Sequence, residues 1–177
     1  MNTAPPDNIA LPDAEAALAA LAERMRGAVA YGAAFVGIYS GGAWIAERLS
    51  RLLPGEHPVG FLDVAFHRDD FERAGLKTNT RSTRLPFDVG GATIILVDDV
   101  LYTGRSVRAA INELYDFGRP AAIELAVLID RGGRELPIEA TYVGARVAVA
   151  RDLSVVLSQK DDGQLALGFE KATGDPA

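Results

Sequence analysis

Asp98 and Asp99 stand side by side at the end of the apolar run Ile94-Ile95-Leu96-Val97, and Val100-Leu101-Tyr102-Thr103-Gly104-Arg105-Ser106 follows them. Adjacent carboxylates after a buried strand suit sugar hydroxyls, the oxygen shell of a hard divalent metal, or a transient cation. The turn behind them is short, hydroxylic and contains a glycine. Beyond Gly104, Val107, Ala110, Ile111 and Leu114 recur at the steps of one helix face. The order is therefore strand, loop, helix N-terminus. A helix N-terminus presents unpaired N–H groups and partial positive charge, which favour phosphate. A site suited to a diol, a cation and a phosphate together fits a phosphorylated ribose.

The elements around this segment alternate. Pro12, with Asp13 and Glu15 close behind, opens an Ala/Leu-rich helix expected to reach about Tyr31. Ala33–Tyr39 reads as a short apolar strand, and Ser40-Gly41-Gly42 turns into a helix from Ala43 to Leu53 that Pro54 stops. Val59–Phe66 reads as another strand. Residues 68–88 are polar and basic without a period, a length of loop that suggests a lid over a site. The strand 93–97 and the helix 105–117 follow, Gly118 ends the helix, and Ala121–Ile129 is a further apolar strand. Leu153–Gln159 and Gln164–Phe169 flank Asp162-Gly163 as a hairpin. Alternating strands and helices predict an α/β domain with a mostly parallel sheet, whose ligands sit at the carboxyl ends of the strands.

Composition narrows the class. A chain of 177 residues with 49% hydrophobic and 24% charged residues is expected to form one domain, residues 1–177, with an ordinary core. No apolar run approaches the ~20 residues of a membrane span, and residues 1–11 lack the features of a secretory signal, so the cytoplasm is the expected compartment. Cysteine is absent, which removes disulfides and thiolate chemistry. Only His57 and His67 remain as imidazole ligands, and zinc is not expected. A net charge of −6 disfavours bulk binding to nucleic acid while leaving room for a local basic patch.

The segment 94–106 resembles the 5-phosphoribosyl-1-diphosphate (PRPP) motif of type I phosphoribosyltransferases. Arg68-Asp69-Asp70-Phe71, Asp116-Phe117-Gly118-Arg119-Pro120 and Leu128-Ile129-Asp130-Arg131-Gly132-Gly133-Arg134-Glu135-Leu136-Pro137-Ile138 narrow it. Together they are similar to the PyrR family, pyrimidine-operon regulators that are also uracil phosphoribosyltransferases. The similarity runs from about Leu18 to about Leu157. It implies the type I phosphoribosyltransferase fold: a mostly parallel five-stranded core sheet flanked by helices, under a small hood built from about 129–140 and the C-terminal hairpin. It implies the reaction of uracil with PRPP to give UMP and pyrophosphate, with Mg²⁺ arriving with PRPP.

The residue roles follow from the same resemblance. Asp98 and Asp99 hold the ribose hydroxyls, directly or through the metal's waters. Val100, Leu101, Tyr102, Thr103, Gly104, Arg105 and Ser106 bind PRPP, with Tyr102 to Ser106 wrapping the 5′-phosphate. Ser40, Gly41 and Gly42 form the pyrophosphate loop, and Arg68 reaches the pyrophosphate from the lid. Ile129, Asp130, Arg131 and Val155 recognise uracil in the hood. Relatives usually carry Thr-Arg-Gly at the pyrophosphate loop, and this chain lacks that arginine. PRPP binding is therefore expected to lean on Arg68, Lys77, Arg81 or Arg84, and an arginine introduced at position 41 is expected to strengthen it.

A regulator of this family also binds pyr leader RNA under the control of UMP or UTP. Arg134 and Arg146 are the candidate RNA contacts, with Arg151, Arg24 and Arg26 nearby in type. Gly133 replaces a usual His and Glu139 a usual Arg, so RNA binding is expected to be weaker and less salt-sensitive. The alternatives are a catalytically weak UMP/UTP sensor without RNA binding, or a transferase for another base. A homo-oligomer, dimer or larger, is expected.

Overall fold

The computed structural model describes residues 10–64 and 82–172. The elements are α1 (Ala14–Met25), β1 (Ala34–Ile38), α2 (Gly41–Leu52), β2 (Val59–Leu62), β3 (Thr93–Leu101), α3 (Arg105–Phe117), β4 (Ala122–Asp130), β5 (Tyr142–Arg146), β6 (Leu153–Gln159) and β7 (Leu165–Lys171). The first five strands form one sheet in the order β2-β1-β3-β4-β5, and every neighbouring pair is parallel. β6 and β7 pair antiparallel as a separate hairpin. This is the mostly parallel five-stranded core with a small hood that the sequence resemblance implies.

Strand side chains alternate between faces, and here both faces are covered. Ile95, Val97, Ala126 and Leu128 pack with Leu18, Leu21 and Met25 of α1 and Ile45 and Leu49 of α2. Their neighbours Ile94, Leu96, Leu125 and Val127 pack with Val107, Ala110 and Leu114 of α3 on the opposite face. That is why β3 and β4 read as continuous apolar runs. The hairpin joins the first cluster through Leu157 and Leu165.

The two central connections leave the sheet in opposite directions. From β1 the chain passes through α2, on one face, to β2 at one side. From β3 it passes through α3, on the other face, to β4 at the other side. The carboxyl ends of the adjacent strands β1 and β3 thus flank a topological switch point, where open α/β sheets bind ligands.

Several boundaries differ from the sequence expectation. α1 starts after Asp13, whose carboxylate accepts the Ala16 N–H at 2.8 Å, and Pro12 lies outside it. It stops at Met25, well before Tyr31, because Gly27 takes φ +77°, a left-handed conformation that breaks the helix. α2 begins at Gly41, so both glycines belong to its first turn. β3 runs on to Leu101, which puts Asp98 and Asp99 on the strand itself. β2 ends at Leu62, and Ala65 and Phe66 lie outside the described residues. β5 had no counterpart in the sequence reading. Trp44 is half-buried against the α1–α2 core cluster.

Candidate active site

The carboxylates are held by the sheet. Asp98 is paired in register with Val127, and the ladder to β4 continues at Val100 and Leu101. Asp98 is only 7% exposed and lies on the α3 side, while Asp99 is half-buried on the α2 side. Each accepts the next residue's N–H: Asp98 Oδ1 from Asp99 at 3.0 Å and Asp99 Oδ1 from Val100 at 2.9 Å. Two hydrogen-bond acceptors of like charge are thus fixed at the carboxyl end of the central strand.

The β1–α2 loop meets them from the neighbouring strand. The Tyr39–Ser40 peptide is cis, Ser40 is exposed at the N-cap of α2, and its side chain makes no capping hydrogen bond. Behind it the backbones touch. A Cβ on Gly41 would collide with the Asp99 carboxylate and lie 2.7 Å from Asp99 Cβ. A Cβ on Gly42 would strike the Val97 carbonyl, and one on Gly37 would lie 2.6 Å from Ala43 Cα. Only glycine permits this approach. The expectation that an arginine at position 41 would strengthen PRPP binding is therefore corrected: Asp99 fills the space its side chain would need.

The β3–α3 loop is held in another way. Gly104 caps α3 with φ +93°, a conformation glycine favours. The Arg105 N–H donates to Thr103 Oγ1 at 3.3 Å. The segment after β4 backs the loop. The N–H of Arg131 donates to the Leu101 carbonyl at 3.1 Å, and the N–H groups of Glu135 and Leu136 donate to the Thr103 carbonyl at 3.0 and 3.2 Å. Arg134 Nη1 donates to the Tyr102 carbonyl at 2.9 Å and Nε to the Ile138 carbonyl at 3.0 Å. Arg105 is exposed and grips Glu135 Oε2 through Nε at 2.9 Å and Nη2 at 2.8 Å.

The hood residues divide by role. Arg131 is 6% exposed, and its guanidinium donates to the carbonyls of Leu153 at 2.6 Å and Ala150 at 3.0 Å. It lies 4.0 Å over the Tyr102 ring, while its Nε is buried with no hydrogen-bond partner among the described residues. Burial draws this guanidinium below its ordinary pKa, against a smaller opposing influence of Tyr102. Ile129 pairs with Val100 and Ala145, and Asp130 lies between Leu101 and Arg146 in register. The Asp130 carbonyl accepts the Val147 N–H at 3.0 Å. The Arg131 N–H and the Asp130 carbonyl thus already serve the loop and the sheet. Val155 is buried in β6.

The cationic residues are rearranged relative to expectation. Arg134 was expected to face RNA. Its guanidinium turns inward instead, with Nη2 2.6 Å from Asp130 Oδ1, because loop carbonyls and a carboxylate surround it. Burial alone would raise the Asp130 carboxyl. Hydrogen bonds from Arg134 and the Gly132 N–H outweigh that and hold it below the usual carboxylate range. Arg24 likewise donates to the carbonyls of Val143 and, at 2.7 Å, Gly144. Arg146 stays on the surface, its side chain 70% exposed and 3.9 Å from Asp130 Oδ2. Arg84 is exposed beside β2, where its backbone pairs with Phe61. Arg68, Lys77 and Arg81 lie outside the described residues.

A Cβ on Gly133 would press on the Tyr102 ring, 2.9 Å from Cδ2. The ring thus occupies the room that a larger residue at 133 would need. Sequence reasoning missed the Asp130–Arg134 pair as part of the site. Its only local signal is the i,i+4 spacing of opposite charges, which two glycines in between disguise as a surface turn.

Comparison with known proteins agrees with this geometry. Residues 9–152 match the family model of the phosphoribosyl transferase domain. A solved hypoxanthine-guanine phosphoribosyltransferase from Bacillus anthracis shares the fold, with a TM-score of 0.61 at 17% identity over 80% of this chain and 86% of that one. A purine phosphoribosyltransferase from Pyrococcus horikoshii gives 0.56 at 26% identity, over 75% and 81%. The fold and the sequence match make this chain a phosphoribosyltransferase. It is 54% identical over 149 residues to a bifunctional protein PyrR of Ralstonia nicotianae, across 84% of this chain and 85% of that one. With a bifunctional protein PyrR of Nitrosococcus oceani the identity is 48% over 138 residues, across 77% and 78%. The chain belongs to the PyrR family.

Proposed function

We propose that the chain transfers the phosphoribosyl group of PRPP to uracil, forming UMP, and that it also binds pyr leader RNA under nucleotide control. The observation that carries the first part is the Asp98-Asp99 pair at the end of β3, directly before the phosphate-suited N-terminus of α3. In the transfer, the bond from C1 of the ribose to pyrophosphate breaks and a bond from C1 to N1 of uracil forms. The uracil proton leaves to solvent or to the departing pyrophosphate. The ribose ring gains positive charge on the way, and the fixed negative charges of Asp98 and Asp99 favour it. Val100–Ser106 bind PRPP, Tyr102–Ser106 placing its 5′-phosphate, and Ser40, Gly41 and Gly42 offer backbone N–H groups to the pyrophosphate. Arg68 is the proposed lid contact.

Among the described residues, no group of three or more His, Cys, Asp or Glu is placed to hold a metal alone. Two hard carboxylate oxygens beside a pyrophosphate site fit Mg²⁺ that brings the remaining ligands with PRPP, Asp98 and Asp99 acting through its waters or the ribose. When bound, Mg²⁺ would neutralise charge on the leaving pyrophosphate. In the hood, Arg131 is a proposed uracil contact and Val155 the proposed apolar neighbour.

For the regulatory part, the exposed Arg146 is the proposed RNA contact, and Arg134 would act through the loop it supports. UMP or UTP would be the effector, the assembly a homo-oligomer, and the compartment the cytoplasm. No described helix is long and apolar enough to cross a membrane. The test is pyrophosphate release with Mg²⁺ and PRPP against uracil, hypoxanthine, guanine and orotate. Faster release with a purine or orotate refutes the uracil assignment. Leader-RNA affinity with and without UMP, for wild type and Arg146→Ala, tests the regulatory part. Unchanged affinity in the variant would place the RNA elsewhere.

A further inference from the structure

We infer that Arg134, oriented by Asp130, is a positioning residue for the 5′-phosphate. It acts from behind the β3–α3 loop by holding the loop's carbonyl groups so that its N–H groups face the ligand. The inference rests on the phosphoribosyl reading and adds a role that the pyrimidine-hood assignment of this segment does not contain.

Three successive carbonyls carry the argument. Those of Leu101, Tyr102 and Thr103 all accept hydrogen bonds from the segment 131–136. Leu101 is held by the Arg131 N–H, Tyr102 by Arg134 Nη1, and Thr103 by the N–H groups of Glu135 and Leu136. The loop's peptide bonds are trans, the cis bond being Tyr39–Ser40. In a planar trans peptide the C=O and the N–H point in opposite directions. Holding these three carbonyls on one side therefore turns the N–H groups of Tyr102, Thr103 and Gly104 toward the other. The inferred phosphate site lies on that other side, joined by the N-terminus of α3, whose N–H groups and dipole stabilise an anion.

The middle carbonyl is the vulnerable one. Its neighbours are held by backbone N–H groups, which substitution cannot remove. The Tyr102 carbonyl is held by the Arg134 side chain. Arg134 is itself fixed at two further points, the Asp130 carboxylate and the Ile138 carbonyl. The planar guanidinium fork serves all three directions at once, which a lysine ammonium at the end of a flexible stem does not.

The test compares ligands with and without the phosphate. Calorimetry gives Kd for UMP and for uridine with wild type, Arg134→Ala, Arg134→Lys and Asp130→Asn. Steady-state kinetics gives KM for PRPP and uracil. Arg134→Ala should weaken UMP by about tenfold or more, the scale of a lost charge-assisted hydrogen bond. It should raise KM for PRPP in proportion and leave uridine affinity, KM for uracil and kcat at saturating PRPP unchanged. Arg134→Lys should restore little. Asp130→Asn, which keeps the side chain's shape, should shift UMP the same way by less, and it decides the matter if Arg134→Ala does not fold. Equal weakening of UMP and uridine would mean general damage and overturn the inference, as would unchanged UMP affinity in a folded variant. A wild type that binds UMP no better than uridine would instead refute the phosphoribosyl reading itself.

Discussion

Two loops meet at the switch point of the sheet, and they are made rigid by opposite means. The β1–α2 loop is fixed by what its residues lack: Gly37, Gly41 and Gly42 let backbone touch backbone and the Asp99 carboxylate. The β3–α3 loop is fixed by added groups, with side-chain and backbone donors from a segment about thirty residues further on holding its carbonyls. Close packing tolerates no added atom, so the first loop should fail abruptly on any substitution. A hydrogen-bonded loop loses donors one at a time, so the second should weaken in steps. On the proposed assignment, a phosphate to be gripped and a pyrophosphate to be released would make correspondingly different demands on the two loops.

Asp99 links the two loops, lying on β3 just before one and filling the space beside Gly41 of the other. Asp99→Asn keeps its shape and removes its charge. We expect kcat to fall by roughly 10²-fold or more with little change in thermal stability, the scale of a lost transition-state contact. Normal uracil turnover by the variant would remove Asp99 from the ribose site.

The packed loop is tested next. Gly42→Ala places a methyl group against the Val97 carbonyl and 3.1 Å from Asp98 Cα. Overpacking of this kind costs about 1–3 kcal/mol, readable by denaturant unfolding. Gly41→Arg should raise KM for PRPP, because the new side chain displaces Asp99. A lowered KM would show that Asp99 moves aside at no cost, and the contrast between the loops would disappear.

The hydrogen-bonded loop should show the gentler response, and it should depend on pH. Asp130 has a lowered pKa in the folded chain. Its ion pair therefore contributes stability above the unfolded value of about 4, and that contribution is lost as pH falls through the lower folded value. The stability difference between wild type and Asp130→Asn should be largest at neutral pH and shrink below about pH 4. A difference independent of pH would mean that shape and not charge orients Arg134.

The smallest effect concerns the rim of the sheet. The Tyr142 hydroxyl donates to Glu124 Oε2 at 2.8 Å, and burial followed by that carboxylate pushes its pKa up to about 12. Its contribution is present below the ordinary tyrosine pKa of about 10 and is lost as pH rises through the folded value. Tyr142→Phe should remove that alkaline sensitivity and leave both loops' ligand affinities unchanged. A change in UMP affinity would show that the rim and the site are coupled.

Much of this was legible in the chain, for local reasons. Ile94–Val97 and Leu125–Ile129 announce buried strands because both their faces are covered, and the Asp pair with its glycine-containing turn marks the site. β5 was not legible: Tyr142–Arg146 is short, has glycine at its centre and ends in arginine, so no apolar run signals it. The extent of α1 was overread because its Ala/Leu pattern carries no strong stop before Gly27. The direction of Arg134 was hidden for a different reason. A basic residue in a glycine-rich turn reads as solvent-facing, and the carbonyls that draw it inward lie about thirty positions earlier in the chain. The Gly41 contact with Asp99 was equally invisible, since no spacing rule reports how closely two loops approach.

The path from β4 to β5 has one further consequence. Neighbouring parallel strands must be joined by a chain that climbs back over the sheet, usually through a helix and rarely in fewer than a dozen residues. Here residues 131–141 make the journey without one, resting Ile138 and Ala140 on the α3-side core. Crossing between neighbouring parallel strands and backing the β3–α3 loop thus fall on the same eleven positions. Shortening this segment should therefore disturb the edge strand β5 and the backing of the β3–α3 loop together.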